Sequence, residues 1–399
     1  MTGANNFSVS GYGPERGSLS RLFARDSLAR RLDWPILLSA LALSVIGSAL
    51  VYSATRNRTE INQGDPYYFL IRHLMNTGIG FGLMVGTVWL GHRTLRTAVP
   101  ILYGLSVALI LAVLTPLGAT VNGAHAWIVL GGGFSLQPSE FVKITIILGM
   151  AMLLAARVDA GDKPYPDHRT VLQALGLAAV PMMIVMLMPD LGSVMVMVII
   201  VLGVLLASGA SNRWVFGLLG TGALGAIAVW QLKILDEYQI NRFAAFANPE
   251  LDPAGVGYNT NQARIAIGSG GLFGTGLGKG SQTTGQFVPE QQTDFVFTVA
   301  GEELGFAGAG LILLLIGVIL WRACRIARET TELYGTIVAA GIIAWFAFQS
   351  FENIGMTLGI MPVAGLPLPF VSYGGSSMFA VWVAVGLLQS IRVQRPMSA

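Results

Sequence analysis

The chain has 399 residues and a net charge of +3, and 53% of its residues are hydrophobic while only 11% are charged. A soluble domain would carry about a quarter charged residues, so this composition argues against a water-soluble globule. The single cysteine, Cys324, excludes a disulfide-stapled secreted domain. We therefore predict an all-α polytopic membrane protein, in which the 50 glycines let helix backbones approach closely.

The predicted elements begin with a polar, arginine-rich segment at residues 1–32, which we interpret as a cytoplasmic basic tail. A membrane domain at 33–396 follows it. Its apolar runs approach the roughly 20 residues that a bilayer-spanning helix needs, and they lack the alternation of a transmembrane β-barrel. They predict about ten transmembrane helices, at 34–52, 74–90, 98–114, 141–155, 171–188, 191–207, 214–232, 295–321, 334–351 and 377–391.

Basic residues determine the predicted orientation, because cytoplasmic loops are enriched in Lys and Arg. With the N-terminus inside, most of the 24 basic residues fall on the cytoplasmic side, and the C-terminus lies there too. The positive charge then reflects anchoring to membrane lipids and not a nucleic-acid surface. We predict a multi-pass plasma-membrane protein whose largest extracytoplasmic loop, 233–293, lies between spans seven and eight.

That loop contains a glycine-rich stretch at 268–280. A Walker nucleotide-binding motif is excluded, because Phe273 stands where its first glycine should be and Gly280 follows Lys279. Two interpretations remain. The glycines allow tight turns at the membrane surface, or their backbone N–H groups approach a pyrophosphate, in which case Lys279 would complete an anion site.

Asp294 follows the loop, at the outer start of predicted span eight. Thr293 is expected to cap the helix and Asp294 to lie in its first turn. Asp294 is then either a carboxylate that interacts with the helix dipole or a functional acid. Glu302 and Glu303 follow on the same span, where carboxylates are costly. Glu302 lies about 12 Å beyond Asp294 along a helix, so it is assigned a packing or gating role.

A second pair of charges lies at the outer start of span four. Glu140 and Lys143 are spaced i,i+3 and share a helix face, and pairing lowers the cost of a lysine within a span. They either form an ion pair that fixes helix packing or provide a polar floor beneath an outward cavity. Asp190, between spans five and six, either caps span six or lines the same cavity.

Several segments resemble one family, the SEDS proteins of bacterial shape, elongation, division and sporulation. They are QPSEFVK at 137–143, PDLGS at 189–193, PEQQTDF at 289–295, GEELG at 301–305 and SYGGSS at 372–377. The resemblance covers roughly 33–395. The segments NIGM at 353–356 and MPVAGLPLP at 361–369 are more similar to the elongation branch than to the division branch.

The resemblance implies a peptidoglycan glycosyltransferase that polymerises lipid II on the outer leaflet, together with a class B penicillin-binding protein that cross-links the glycan. The essential aspartate of the family corresponds to Asp294, and its Glu–Lys pair corresponds to Glu140 and Lys143. Three positions differ from the family pattern. Ala126 stands where a basic residue is common, and Gln291 and Gln292 stand where a His is common.

The residues fit this implied chemistry. Arg242, Arg264 and Lys279 lie in the outer loop, and arginine suits the phosphate oxygens of an anionic pyrophosphate. Asp294 would act as the single base of an inverting displacement. No set of His and Cys residues predicts a metal site, while a divalent cation such as Mg²⁺ between Asp294 and the pyrophosphate is compatible with the chemistry.

Two other functions compete with the polymerase. A lipid II flippase would use the same spans and intramembrane charges, although no inverted repeat is evident. A non-catalytic scaffold for the penicillin-binding protein would not need Glu140, Lys143 and Asp294 together.

Overall fold

The computed structural model describes residues 28–121, 124–131, 134–162, 164–188, 190–231 and 256–394. Most of the predicted tail at 1–32 lies outside these residues, and so do Arg242 and the first part of the large outer loop.

The described residues form a mostly helical bundle, in which nine of the ten predicted apolar runs each fall largely within one helix and the tenth, 295–321, is divided between two. In chain order the helices are α1 (Leu28–Arg31), α2 (Trp34–Thr55), α3 (Tyr68–Leu90), α4 (His92–Val113), α5 (Pro138–Asp159), α6 (His168–Met186), α7 (Leu191–Ala207), α8 (Asn212–Gln231), α9 (Val256–Ser269), α10 (Ser281–Thr284), α11 (Val296–Glu303), α12 (Gly305–Glu329), α13 (Leu333–Leu358) and α14 (Gly375–Val393).

Length and composition make seven of the described helices able to cross a membrane, namely α2, α4, α5, α6, α12, α13 and α14. Helix α7 is apolar but shorter. Helices α3 and α8 coincide with predicted runs as well, and the count of ten spans stays a prediction.

Capping side chains and a first-turn proline stabilise the starts of several of these helices. The Asp33 carboxylate accepts a hydrogen bond from Ile36 N at the start of α2, and Asp190 caps α7 in the same way through Ser193 N. Pro138 occupies the first turn of α5, where its missing N–H costs nothing.

One outer loop corrects the prediction of an all-α fold. Residues 118–136 contain the strands β1 (Gly118–Val121), β2 (Ala124–Gly131) and β3 (Phe134–Leu136), which pair antiparallel in the order β1–β2–β3. Ile128 lies opposite both Gly118 and Leu136. The physical reason is local, because β-branched and aromatic residues in β2 favour strands.

Predicted span eight is also corrected, because the run 295–321 is not one continuous helix. Helix α11 ends at Glu303, and α12 begins at Gly305 after the single residue Leu304. Gly305 has a φ of +66°, which glycine adopts without strain. The N–H groups of Phe306 and Ala307 donate to the carbonyls of Gly271 and Leu272. The break therefore joins the outer end of α12 to the glycine-rich stretch.

The bundle is centred on α5, α13 and α14. The apolar windows of these helices are 78%, 61% and 72% buried, whereas that of α4 is only 22% buried. Helix α14 packs along α3, and α13 packs against α5, α7 and α12. Trp345 and Trp382 are the largest fully buried side chains, and Lys143 is buried with them. The central helices therefore enclose a charged side chain together with the largest apolar ones.

Candidate active site

Asp294 lies in a turn directly before α11, and its side chain is half-buried. The residue that flanks the helix is Phe295, whose side chain makes no capping hydrogen bond. The expectation that Thr293 caps the helix and that Asp294 occupies its first turn is therefore wrong. The Thr293 hydroxyl instead donates to the carbonyl and the carboxylate of Glu290, at 3.2 and 3.1 Å, so it stabilises the turn rather than the helix.

Three consecutive carbonyls of this turn accept hydrogen bonds from the C-terminal part of the chain. Tyr373 N donates to Gln292 O (2.8 Å), the Ser372 hydroxyl to Thr293 O (2.6 Å) and the Asn353 amide to Asp294 O (2.8 Å). We call these three donors the carbonyl clamp. The clamp connects the turn to α13 and to the segment 359–374 that follows it.

The Asp294 carboxylate lies beside Gly365 in that segment. A Cβ atom on Gly365 would be 3.4 Å from Asp294 Oδ2, and the φ of Gly365 is +68°. A larger residue would be strained there and would contact the carboxylate. The glycine therefore lets the segment 359–374 approach the Asp294 carboxylate closely.

The backbone of the turn is strained at Glu290, a non-glycine residue with a φ of +52°. Its carbonyl accepts from the N–H groups of Thr293 and Phe295, both at 3.2 Å. Its carboxylate accepts from the Gln292 amide at 3.3 Å. These bonds offset the cost of the left-handed conformation, which proteins retain mainly at functional sites.

Glu140 and Lys143 form an ion pair of 2.7 Å with side chains 1% and 0% exposed. The Lys143 ammonium also donates to Gln349 Oε1 at 3.1 Å, and the Gln349 amide donates to Pro367 O at 2.7 Å. Complete burial favours the packing role over an exposed polar floor. The pair nevertheless reaches the segment 359–374 through Gln349.

Asp190 joins two helix starts. Its carboxylate accepts from the N–H and the hydroxyl of Ser193, at 3.0 and 2.7 Å, and from the Gln137 amide at 3.3 Å. Of its two predicted roles, this geometry is that of a cap on α7, which it also ties to the residue before α5.

Glu302 lies at the end of α11, so it is not deep in a continuous span. Its carboxylate accepts from Gln282 N, Thr283 N and the Thr283 hydroxyl, at 2.8, 2.8 and 2.7 Å. It thereby caps the short helix α10, which is a packing role, one of the two predicted for Glu302. A Cβ atom on Gly280 would be 2.6 Å from this carboxylate. The glycine-rich stretch therefore packs closely against α11 at Gly280, and the choice between its two interpretations, tight turns or pyrophosphate binding, stays a prediction.

The structure describes two of the three basic residues that are predicted to bind the pyrophosphate. Arg264 and Lys279 are exposed, and a Cβ atom on Gly359 would be 3.3 Å from the Arg264 side chain. Arg264 and Asp294 thus border the same segment, 359–365. Lys279 follows Gly278, whose carbonyl accepts a hydrogen bond from Arg56. Arg242 lies outside the described residues, so its role stays a prediction.

Sequence reasoning missed Arg58 in the first outer loop. Its guanidinium donates to Val288 O at 3.0 Å and to Gln292 Oε1 at 3.5 Å, directly before Asp294. Burial lowers the pKa of Arg58, and the nearby carboxylates of Glu290 and Glu60 oppose that shift. No sequence spacing relates Arg58 to residue 292, so only the fold reveals this contact.

Within the described ranges, no group of three or more His, Cys, Asp or Glu side chains could hold a metal ion.

The comparisons with known proteins cover almost the whole chain. A family model for FtsW, RodA and SpoVE, described as cell cycle protein, matches residues 33–396. Stage V sporulation protein E of Bacillus subtilis (strain 168) is 39% identical over 90% of this chain and 96% of its own length. A probable peptidoglycan glycosyltransferase FtsW of Trichlorobacter lovleyi is 37% identical over 90% of this chain and 92% of its own.

A solved structure has the same fold. It concerns the structural coordination of polymerization and crosslinking by a peptidoglycan synthase complex, and one of its chains is 29% identical, with a TM-score of 0.74. The likeness covers 92% of this chain and 99% of that one. The preference for the elongation branch stays a prediction. The matched motifs, the match over 33–396 and the shared fold establish that this chain is an integral membrane protein of the FtsW, RodA and SpoVE family, the SEDS proteins.

Proposed function

We propose that this chain is a peptidoglycan glycosyltransferase that polymerises lipid II into glycan strands on the outer leaflet of the plasma membrane. The relative from T. lovleyi is named as such an enzyme, and the similar synthase complex concerns polymerization. The observation that carries the proposal is Asp294, a half-buried carboxylate in a turn whose backbone is fixed by the carbonyl clamp.

The reaction is a single displacement with inversion. The acceptor's sugar hydroxyl oxygen bonds to the anomeric carbon of the donor while the bond from that carbon to the pyrophosphate oxygen breaks. The hydroxyl proton passes to the Asp294 carboxylate, and the electron pair leaves with undecaprenyl pyrophosphate. One base is enough for this reaction, and general-base assistance contributes roughly 10²–10⁴-fold.

The basic residues would bind the leaving group. Arg264 borders the same segment as Asp294, so its guanidinium can approach the pyrophosphate of a donor whose anomeric carbon faces Asp294. Lys279 and Arg242 would add charge from the same outer loop. A Mg²⁺ ion shared by Asp294 and the pyrophosphate would assist the departure of the leaving group.

The cellular setting follows from the same proposal. The active face would be extracytoplasmic and both termini cytoplasmic, because the basic residues favour that orientation. The partner would be a class B penicillin-binding protein, which is consistent with the similar chain being part of a synthase complex. We assign the role to cell elongation and shape maintenance on the segments 353–356 and 361–369.

The test compares Asp294→Asn with the matched control Asp65→Asn. Asp65 is an exposed outer-loop carboxylate that accepts a hydrogen bond from Tyr67 N in its own loop. The purified variants are assayed for glycan formation from lipid II with the penicillin-binding partner present and transpeptidation blocked. Asp294→Asn should lower the rate by about two orders of magnitude or more, and Asp65→Asn should leave it unchanged.

The other outcomes separate the competing functions. Near-normal glycan from Asp294→Asn would contradict the role of Asp294 as the base. No glycan from well-folded wild type with its partner would contradict the polymerase. In liposomes, lipid II exchange between leaflets without glycan would indicate a flippase, and neither activity would indicate a scaffold.

A further inference from the structure

Side chains from a distant part of the chain hold the turn that carries Asp294. The proposed reaction does not otherwise use these side chains. Two of the three donors in the carbonyl clamp are side chains, Asn353 and Ser372, and they are 0% and 4% exposed. Three consecutive backbone carbonyls, ending at Asp294, are held by donors that belong to a different part of the chain.

The same side chains also hold the opposite segment. The Asn353 amide donates to Leu366 O at 2.7 Å, and the Ser372 hydroxyl accepts from Leu368 N at 2.8 Å. Each of them therefore ties the Asp294 turn to the segment that contains Gly365. Because Gly365 lies against the Asp294 carboxylate, the clamp fixes both the turn and the surface that the carboxylate faces.

Gln349 adds a support one helical turn before Asn353 on α13. Its amide donates to Pro367 O at 2.7 Å, and its oxygen accepts from the Lys143 ammonium and from the Trp345 indole N–H, at 3.1 and 2.7 Å. Gln349 therefore connects the buried Glu140–Lys143 pair to the residue that lies between the two clamped positions, 366 and 368.

Both the Asp294 turn and the segment 359–374 contain a residue with a strained backbone conformation. Glu290 and Phe370 have φ angles of +52° and +66° although neither is glycine. Such conformations persist only where the surrounding structure over-determines them. One strained residue lies four positions before Asp294 and the other lies between Leu368 and Ser372, so both flank the clamp.

We propose that Asn353, Ser372 and Gln349 are positioning residues that aim the Asp294 carboxylate at the reacting hydroxyl. The proposal rests on the proposed role of Asp294 as the base. A catalytic group must be held within about 0.5 Å of its productive position, and a displacement of about 1 Å can cost roughly a hundredfold in rate. The Glu140–Lys143 pair then acts on catalysis only through Gln349 and the segment 359–374.

The test uses Asn353→Ala and Ser372→Ala in the purified protein with its penicillin-binding partner. Each variant should lower kcat for glycan formation by about ten- to a hundredfold and leave the KM for lipid II unchanged, because neither side chain lies beside Arg264 or Lys279. Ser372→Thr keeps the hydroxyl and should recover most of the rate. Thermal unfolding in detergent verifies that each variant is folded, and Ser372→Ala is the milder change.

Thr357→Val is the matched control. Thr357 lies on α13, one turn beyond Asn353, is 0% exposed, and donates its hydroxyl to Ile354 O at 2.7 Å. This substitution removes a buried hydroxyl of the same helix without touching the Asp294 turn, so kcat should not change. An equal loss of kcat in Thr357→Val would overturn the proposal, because any buried hydroxyl would then have the same effect.

A second readout does not depend on the rate. Amide hydrogen exchange in the peptide 288–296 should become faster in Asn353→Ala and Ser372→Ala and stay unchanged in Thr357→Val. Adding Asn353→Ala to Asp294→Asn should cause no further loss of residual activity, since positioning has no purpose without the base. A further multiplicative loss, or a higher KM with unchanged kcat, would overturn the positioning role.

Failure of this inference is distinguishable from failure of the proposed function. If Asp294→Asn is inactive while Asn353→Ala and Ser372→Ala keep full kcat, positioning by the clamp is wrong and the base stands. If Asp294→Asn keeps full activity, the base assignment fails and the inference that depends on it fails as well.

Discussion

The Lys143 ammonium lies 2.7 Å from Glu140 Oε1 inside the bundle, with both side chains almost completely buried. The other carboxylate oxygen, Glu140 Oε2, has no hydrogen-bond partner in the part of the chain that the structure describes. Lys143 also lies 4.9 Å from the centre of the Trp345 ring. Because both charges are desolvated, removal of one partner leaves the other uncompensated.

Lys143→Ala should therefore lower the free energy of unfolding by about 3–5 kcal/mol, and the double change with Glu140→Ala should lower it by less. Thermal unfolding in detergent measures both. Arg325→Ala is the control, because its ion pair with Glu329 is exposed and should contribute less than about 1 kcal/mol. Simple additivity of the Glu140 and Lys143 single losses would contradict the buried pair.

Arg242→Ala and Arg264→Ala should each raise the lipid II concentration that gives half-maximal rate, by about ten- to a hundredfold, because a hydrogen bond to a charged group contributes roughly 1.5–3 kcal/mol. Lys279→Ala should have a milder effect, since one ammonium cannot form a bidentate contact. Titration of lipid II against each purified variant measures the change.

Arg169→Ala serves as the control for these variants, because Arg169 is exposed at the predicted cytoplasmic start of α6. It should leave the concentration dependence unchanged. If both outer-loop arginine variants also behave like wild type, these arginines have a folding or topology role and do not bind substrate.

Gly305→Ala should destabilise the junction of α11 and α12. Its φ is +66°, and a Cβ atom would be 2.8 Å from the Leu272 carbonyl oxygen, so a loss of about 1–2 kcal/mol or more is expected. Gly310→Ala on the same helix is the control, because nothing lies within 4 Å of its added Cβ and alanine favours helices by up to about 1 kcal/mol. Thermal unfolding in detergent should show a lower stability for Gly305→Ala and a higher stability for Gly310→Ala. Equal effects would argue for a continuous helix across residue 304.

Much of the fold could be predicted from the sequence, because a bilayer demands long apolar runs. Nine of the ten predicted runs each fall largely within one helix, and the i,i+3 spacing placed Glu140 beside Lys143. Asp190 was expected either to cap span six or to line a cavity, and its carboxylate accepts from Ser193 N, which is the geometry of the cap. These successes rest on contacts within a few residues along the chain.

The features of the fold and of the site that the sequence did not predict depend on contacts between residues far apart in the chain. Hydrogen bonds to Gly271 and Leu272 fix the break at Leu304. The apolar sequence around Leu304, however, resembles that of an uninterrupted membrane span. Arg58 reaches the turn before Asp294 across 230 residues or more. The Asn353 and Ser372 donors contact backbone carbonyls, which every residue carries, so no side-chain pattern at 292–294 reveals them.

The carbonyl clamp also has a consequence for biosynthesis. Asn353 and Ser372 lie 59 and 79 residues after their acceptors, and a chain is made from its N-terminus. Asp294 is therefore synthesised well before the donors that fix its turn, and the long helices α12 and α13 lie between it and Ser372, the last side-chain donor of the clamp. A nascent chain that stops short of residue 353 contains the carboxylate without its conformation. The protein therefore becomes catalytically active only when its synthesis is nearly complete. The first turnover requires assembly of the whole bundle.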